Sequence, residues 1–229
     1  MLKKLVLSSA LLSLLLSPLG NASANAESDV SQETTMEEIN LEKVDFEKLQ
    51  DGEEIQVDGF TIKHYSNEEA AELIAEQKGT TTSSELRNLG GKTNKSLITP
   101  MASSCASGAT AFSRTLNVKS NYKPTMHVWT ELCKNSAGQF VIKSIVDITI
   151  NKSYNGMVKG FGGSVKAQAL NSGKTLYYRA EGNFYNNAST TINSEAGLDT
   201  RVATISFGSS STSDYFGYIH QAQNIYLFK

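Results

Sequence analysis

Residues 174–185 read KTLYYRAEGNFY, and their spacing decides the fold. Leu176, Tyr178, Ala180 and Phe184 sit at even positions, while Tyr177, Arg179, Glu181 and Asn183 occupy the odd ones. Side chains of a strand point alternately to opposite faces, so this pattern gives one apolar face to bury and one polar face to leave outside. Residues 138–152, GQFVIKSIVDITINK, repeat the signal, with Phe140, Ile142, Val146, Ile148 and Ile150 on a shared face.

Outward from these two segments the same period continues. Strands are predicted over 109–119, 125–134, 138–152, 156–170, 174–185, 188–194, 200–208 and 215–228, separated by turns rich in Gly, Asn and Ser. Asn155-Gly156 is the strongest hairpin signal. Gly160, Gly162 and Gly163 interrupt their strand and predict a bulge or a sharp bend. The short connections favour an antiparallel meander. The fold class is therefore mainly β: an antiparallel sandwich, or a small barrel, over residues 105–229.

A different region precedes it. Ile55-Gln56-Val57 and Phe60-Thr61-Ile62 flank Asp58-Gly59, a dipeptide suited to a type I′ hairpin, and Ser66 with Glu69 forms a capping box that opens a helix. Ala70, Leu73 and Ile74 give that helix an apolar stripe, and Lys78-Gly79 ends it. Residues 27–78 thus read as a small ββα module behind a polar start at Glu27–Glu38. Its anchors (Val44, Phe46, Leu49, Ile55, Val57, Phe60, Ile62, Leu73 and Ile74) are too few for independent stability, so it should lean on another surface. Residues 79–104, dominated by Gly, Thr, Ser and Asn, read as a linker in which Arg87, Lys92 and Lys95 invite proteolysis.

Charge follows the same division. Glu27–Pro100 carries 17 acidic and 7 basic residues, net −10; Met101–Lys229 carries 6 and 12, net +6. The halves should attract, and residues 27–78 are expected to act as a pro-segment or cover for the β domain.

Lys3 and Lys4 followed by the apolar run Leu5–Leu16 and small residues at 22–26 have the anatomy of a secretory signal peptide, residues 1–26. No cysteine lies near the cleavage site and the C-terminus lacks an anchoring tail, so a secreted, extracellular protein is expected. Export favours pairing the two cysteines, Cys105 and Cys133. Two cysteines at this spacing, without CxxC or HxxxH partners, are not expected to bind a metal.

Catalytic motifs are absent: there is no GxSxG, HExxH, Walker loop or dinucleotide fingerprint, and no cofactor is expected. If the chain were a hydrolase, His127, Glu131 and Arg179 would be its cast for acid–base chemistry. Binding has more to draw on. The β domain holds eight of the nine tyrosines and the single tryptophan, and Trp129, Tyr177, Arg179, Tyr185, Tyr218 and His220 are the candidate contacts. Aromatic faces beside Asn and Arg suit sugars, and a basic surface suits polyanions, so the expected partner is an envelope polymer, a glycan or a cell surface rather than a nucleic acid. A membrane-damaging effector is the alternative, since 156–170 and 200–228 alternate small polar and apolar residues as an inserting hairpin would.

Overall fold

A computed structural model describes residues 37–50, 53–90, 105–211 and 214–228. The residues read as a signal peptide and the polar start, up to residue 36, lie outside the described residues, as do Lys92 and Lys95. In chain order the elements are β1 (Glu37–Asn40), α1 (Glu47–Gln50), β2 (Glu54–Val57), β3 (Phe60–Tyr65), α2 (Asn67–Lys78) and α3 (Thr82–Gly90). There follow β4 (Ala109–Thr115), β5 (Thr125–Lys134), β6 (Phe140–Asn151), β7 (Ser153–Tyr154), β8 (Met157–Val158) and β9 (Gly160–Leu170). After a 3-10 turn come β10 (Thr175–Tyr185), β11 (Thr190–Ala196), β12 (Val202–Ser209) and β13 (Tyr215–Tyr226).

The chain is mainly β, and each strand expected downstream of Cys105 is present. They form two main sheets, ordered β2-β3-β4-β5-β6 and β1-β13-β10-β9-β12-β11, and β7 pairs with β8 in a separate two-stranded hairpin. The inner faces of the main sheets meet in one apolar cluster. Phe60, Ile62, Phe112, Val128 and Ile148 come from the first sheet, and Val165, Tyr178, Ile205, Phe207 and Ile219 from the second. Phe60 and Tyr178 touch edge to face across it, with ring centres 5.8 Å apart. This is a sandwich.

Both two-residue turns adopt the left-handed backbone that their residues tolerate: Asp58 and Gly59 at φ 48° and 76°, Asn155 and Gly156 at 49° and 76°. Three features differ from expectation. The glycines of β9 make no bulge, because the β9–β10 register runs unbroken from Leu170↔Thr175 to Gly160↔Tyr185. Their purpose is close approach. Gly163 faces Gly182 across the ladder under the Phe161 ring, which a Cβ on Gly182 would strike at 2.7 Å. Nor do the strands meander throughout. Residues 186–189 carry the chain from β10 past β9 and β12 to β11, pressing Ala188 onto Gly160, where a Cβ would lie 2.6 Å from the Ala188 methyl. Turn chemistry reports that a chain reverses, not which strand it rejoins.

The third difference concerns the acidic region. Part of the stretch read as linker is helix α3, whose Glu85 is buried and accepts from Thr80 Oγ1 at 2.7 Å and Asn88 Nδ2 at 3.2 Å. The expected hairpin and capped helix are present, with Ser66 and Glu69 closing the box. Their docking is through main-chain ladders: β3 pairs with β4 over the register Phe60↔Arg114 to Tyr65↔Ala109, and β1 pairs in parallel with β13. Helix α2 lies on the outer face of the five-stranded sheet, where Ala70 and Ile74 meet Ala109, Ala111 and Trp129. The alanines of β4 let the helix come close.

Cys105 and Cys133 are joined, tying the approach to β4 to the end of β5. Alkylation without reductant is expected to label neither cysteine. Reduction is expected to lower stability by roughly 3–4 kcal/mol in urea titration; an unchanged midpoint would mean the loop is held by other contacts.

Candidate binding face

The two outer faces of the sandwich differ in cover. Helices α2 and α3 lie over that of the five-stranded sheet, and among the described residues no element lies over that of the six-stranded sheet. The odd positions of β10 point to this open face, since Leu176, Tyr178 and Ala180 are buried inside. Register then assigns its neighbours. Tyr177 stands between Gln168 and Asn224, Arg179 between Lys166 and Ala222, Glu181 between Ser164 and His220, and Asn183 between Gly162 and Tyr218.

Of the six residues predicted to bind, this face unites five: Tyr177, Arg179, Tyr185, Tyr218 and His220. Tyr218 is 47% exposed, and Tyr215, not singled out from the sequence, is 58% exposed. Tyr185 lies at the rim beneath Tyr215, mostly covered, with ring centres 6.5 Å apart. Trp129 is elsewhere. It is buried under α2 against Tyr65, with its Nε1 donating to Thr149 Oγ1 at 3.0 Å, so it is a core residue.

Glu181 is the fixed acceptor of the face. Arg179 Nη2 donates to Oε2, Tyr218 OH donates to Oε1 at 3.3 Å, and His220 Nδ1 lies 3.8 Å away. The Arg179 hydrogen bond holds its carboxyl below the usual range. Desolvation, with the Glu181 carboxylate, raises the Tyr218 phenol. At the β1 edge, Tyr226 OH donates to Glu38 Oε1 at 3.1 Å. Lys166 and Arg179 against Glu181 and Glu38 leave the face mixed in charge rather than basic.

Comparison with known protein families, curated proteins and solved structures returns no match. The face must be read from its own chemistry.

The residues considered for catalysis do not assemble. His127 and Glu131 are on the helix-covered side of the five-stranded sheet, whereas Arg179 is on the open face beyond the core. Glu131 is engaged by Lys143 Nζ and Ser144 Oγ, each at 3.1 Å. His127 Nδ1 does meet a hydroxyl, Ser113 Oγ, at 2.7 Å, but Nε2 is buried with no partner. An orphaned N–H costs more than an orphaned lone pair, so the favoured tautomer carries its proton on Nδ1 and donates to Ser113. That is the wrong direction for a base activating a serine. Burial pushes the His127 pKa down to about 4.

Sequence reasoning missed a second polar centre. Lys78, Asp147, Glu85 and Glu195 converge from α2, β6, α3 and β11. The available signal was Asp147 itself, a lone carboxylate inside the apolar run Ser144–Ile150.

Proposed function

We propose that this is an exported, non-enzymatic protein that binds an uncharged or zwitterionic glycan of a cell envelope on the open face of its six-stranded sheet. One observation carries the reading: Tyr177, Arg179, Tyr218 and His220 share an exposed face with Asn183, Gln168 and a lane of small residues, Gly162 and Ser164. Same-face residues along a strand recur about every 7 Å and strands lie about 5 Å apart, a grid on which sugar rings can stack against tyrosines while amides reach their hydroxyls. The mixed charge argues against a polyanion as the preferred ligand, because Glu181 would repel it at the centre.

Export rests on the N-terminal signal pattern and is compatible with the disulfide. No described helix is long and apolar enough to cross a membrane. For the alternative of a released membrane effector, β9 and β13 would have to expose Val165, Ala167, Ile219 and Ile225, which lie in the sandwich core. The acidic segment serves, on this reading, as part of the sandwich and a cover for its other face.

The test is retention on insoluble chitin, on peptidoglycan sacculi and on an anionic wall polymer. Binding to a neutral or zwitterionic matrix is expected, and Tyr218→Ala or Tyr177→Ala should weaken it about tenfold, the effect of losing one aromatic anchor of roughly 1.4 kcal/mol. Retention on the anionic polymer alone, or binding indifferent to both substitutions, would overturn the assignment.

A further inference from the structure

Lys78, the last residue of α2, carries its ammonium into the protein. Its side chain is 6% exposed, and Nζ lies 3.0 Å from Asp147 Oδ2, 2.6 Å from Glu195 Oε1 and 4.0 Å from Glu85 Oε2. Asp147 and Glu85 are equally withdrawn from water, at 5% and 4%, while Glu195 is 33% exposed. Apolar groups flank the pair, in a space that Gln77, Thr149, Lys152 and Thr190 also line. Trp129 stands directly across the ladder from Asp147, and Ile150, Ile192 and Phe207 line the space beside Lys78. The pair runs against the overall charge asymmetry, a base of the acidic half meeting an acid of the basic half. Long-range attraction between the halves therefore does not explain it.

An amine and a carboxylate held in contact, out of water and beside a second carboxylate, are the reactants and the proton carrier of an amide condensation. We propose that Lys78 and Asp147 join covalently, through an amide between Lys78 Nζ and Asp147 Cγ, with Glu195 as the proton shuttle. Glu195 takes a proton from the ammonium over its 2.6 Å contact, leaving a neutral amine. Glu195 passes that proton to Asp147 Oδ2, and the amine lone pair attacks Cγ of the carboxyl so protonated. Oδ1 accepts the Ile148 N–H at 2.7 Å, and that donor supports the charge developing on the oxygen which remains as the amide carbonyl. Oδ2, facing Lys78, departs as water, keeping the proton it received through Glu195 and taking one more from the nitrogen. Ammonium plus carboxylate thus becomes amide plus water, with no oxidant or other reagent, and Glu195 ends as it began.

Electrostatics bear on both reactants. Burial pushes Asp147 up to about 6, against the pull of Lys78, so its carboxyl takes a proton readily. Desolvation works against the Lys78 ammonium, but Asp147 and Glu195 more than offset it and its pKa is raised. The amine therefore needs a base in contact, which Glu195 is. Holding the partners in place removes the entropy cost of bringing them together. Exchanging a buried ion pair for a neutral amide removes two desolvated charges. Glu85 is the poorer acceptor because it is farther away and already bound by Thr80 and Asn88. The bond would fix α2, and with it the β2–β3 hairpin, irreversibly to β6.

The test is tryptic mapping of the reduced protein purified from culture medium. A closed amide blocks cleavage after Lys78, so residues 64–87 and 144–152 should appear as one branched species, lighter by one water than the two peptides combined. Free peptides 64–78, 79–87 and 144–152 in place of that species would overturn the proposal. Lys78→Arg should abolish the branched species. Glu195→Gln should leave the protein folded and largely unlinked; linkage to the native extent would remove Glu195 from its assigned role.

Discussion

A chain beginning at residue 101 is expected to lose cooperative folding. The segment before it is acidic and short of apolar residues, yet Ile39, Leu41, Phe46, Leu49, Phe60, Ile62 and Ile74 are all buried. Fully burying a side chain of this size contributes about 1.5–3 kcal/mol, so the seven together supply about 10–20 kcal/mol, comparable with or above the roughly 5–15 kcal/mol by which whole domains are stable. Their loss has three local consequences. Strand β4 becomes an exposed edge, Phe112 loses its ladder partner Ile62, Tyr178 loses the Phe60 ring, and Trp129 loses its helical cover. The measurement is thermal unfolding of 27–229 beside 101–229. The longer chain should unfold cooperatively, and the shorter should show no transition, or aggregate through its exposed edge. Midpoints within a few degrees of each other would show that the hairpin is peripheral. Salt adds a second reading. Ladders and apolar contacts are not screened, so the longer chain should hold its midpoint in high salt, whereas docking by opposite charges would weaken.

That result bears on what the sequence made legible. Period-two alternation, Asp58-Gly59, Asn155-Gly156 and the Ser66–Glu69 box each report a local conformation, and each is found where the residues demand it. Pairing between distant strands leaves no such mark. The alternation at 60–62 showed that Phe60 and Ile62 share a face, but not that β4 completes it. Helix α3 was hidden because Thr, Ser and Gly are poor helix formers, and what holds it is tertiary: Leu89 against the apolar cluster that includes Trp129, and buried Glu85. The binding face was readable in outline. Strand parity put Tyr177 and Arg179 together, while Tyr218 and His220 joined them only through the β10–β13 register. Trp129 also lay on the polar side of its strand, and sequence could not show that a helix covers it. Asp147 is the plainest case: its neighbours announced a buried strand, and only the fold shows that the ammonium facing it comes from 69 residues earlier.

Acid titration is expected to separate two buried groups, His127 and Asp147, whose effects have opposite sign. His127 has its pKa lowered from 6.5 to about 4 by burial, against Ser113 and the Trp129 ring. Between those pH values the unfolded chain binds a proton that the folded chain refuses. The stability is fully present above pH 6.5 and is lost on the way down to pH 4, by about 3 kcal/mol. Asp147 has its pKa raised from 3.8 to about 6, facing Lys78, Glu195 and Glu85. There the folded chain takes the proton first, so acidification from pH 6 towards 3.8 favours folding, again by about 3 kcal/mol. With both groups free to titrate, the two changes cancel. With Asp147 consumed in an amide it no longer titrates, and between pH 6.5 and 4.5 the native protein should lose about 2 kcal/mol through His127 alone. Urea unfolding at pH 6.5 and at pH 4.5, read as differences between variants so that other carboxylates subtract out, distinguishes these states. His127→Gln should flatten the native acid loss, and Lys78→Arg, which leaves Asp147 free, should flatten it too. A native protein already flat over this range, with His127→Gln gaining stability as the pH falls, would mean that Asp147 titrates freely beside Lys78 and that the amide is not formed.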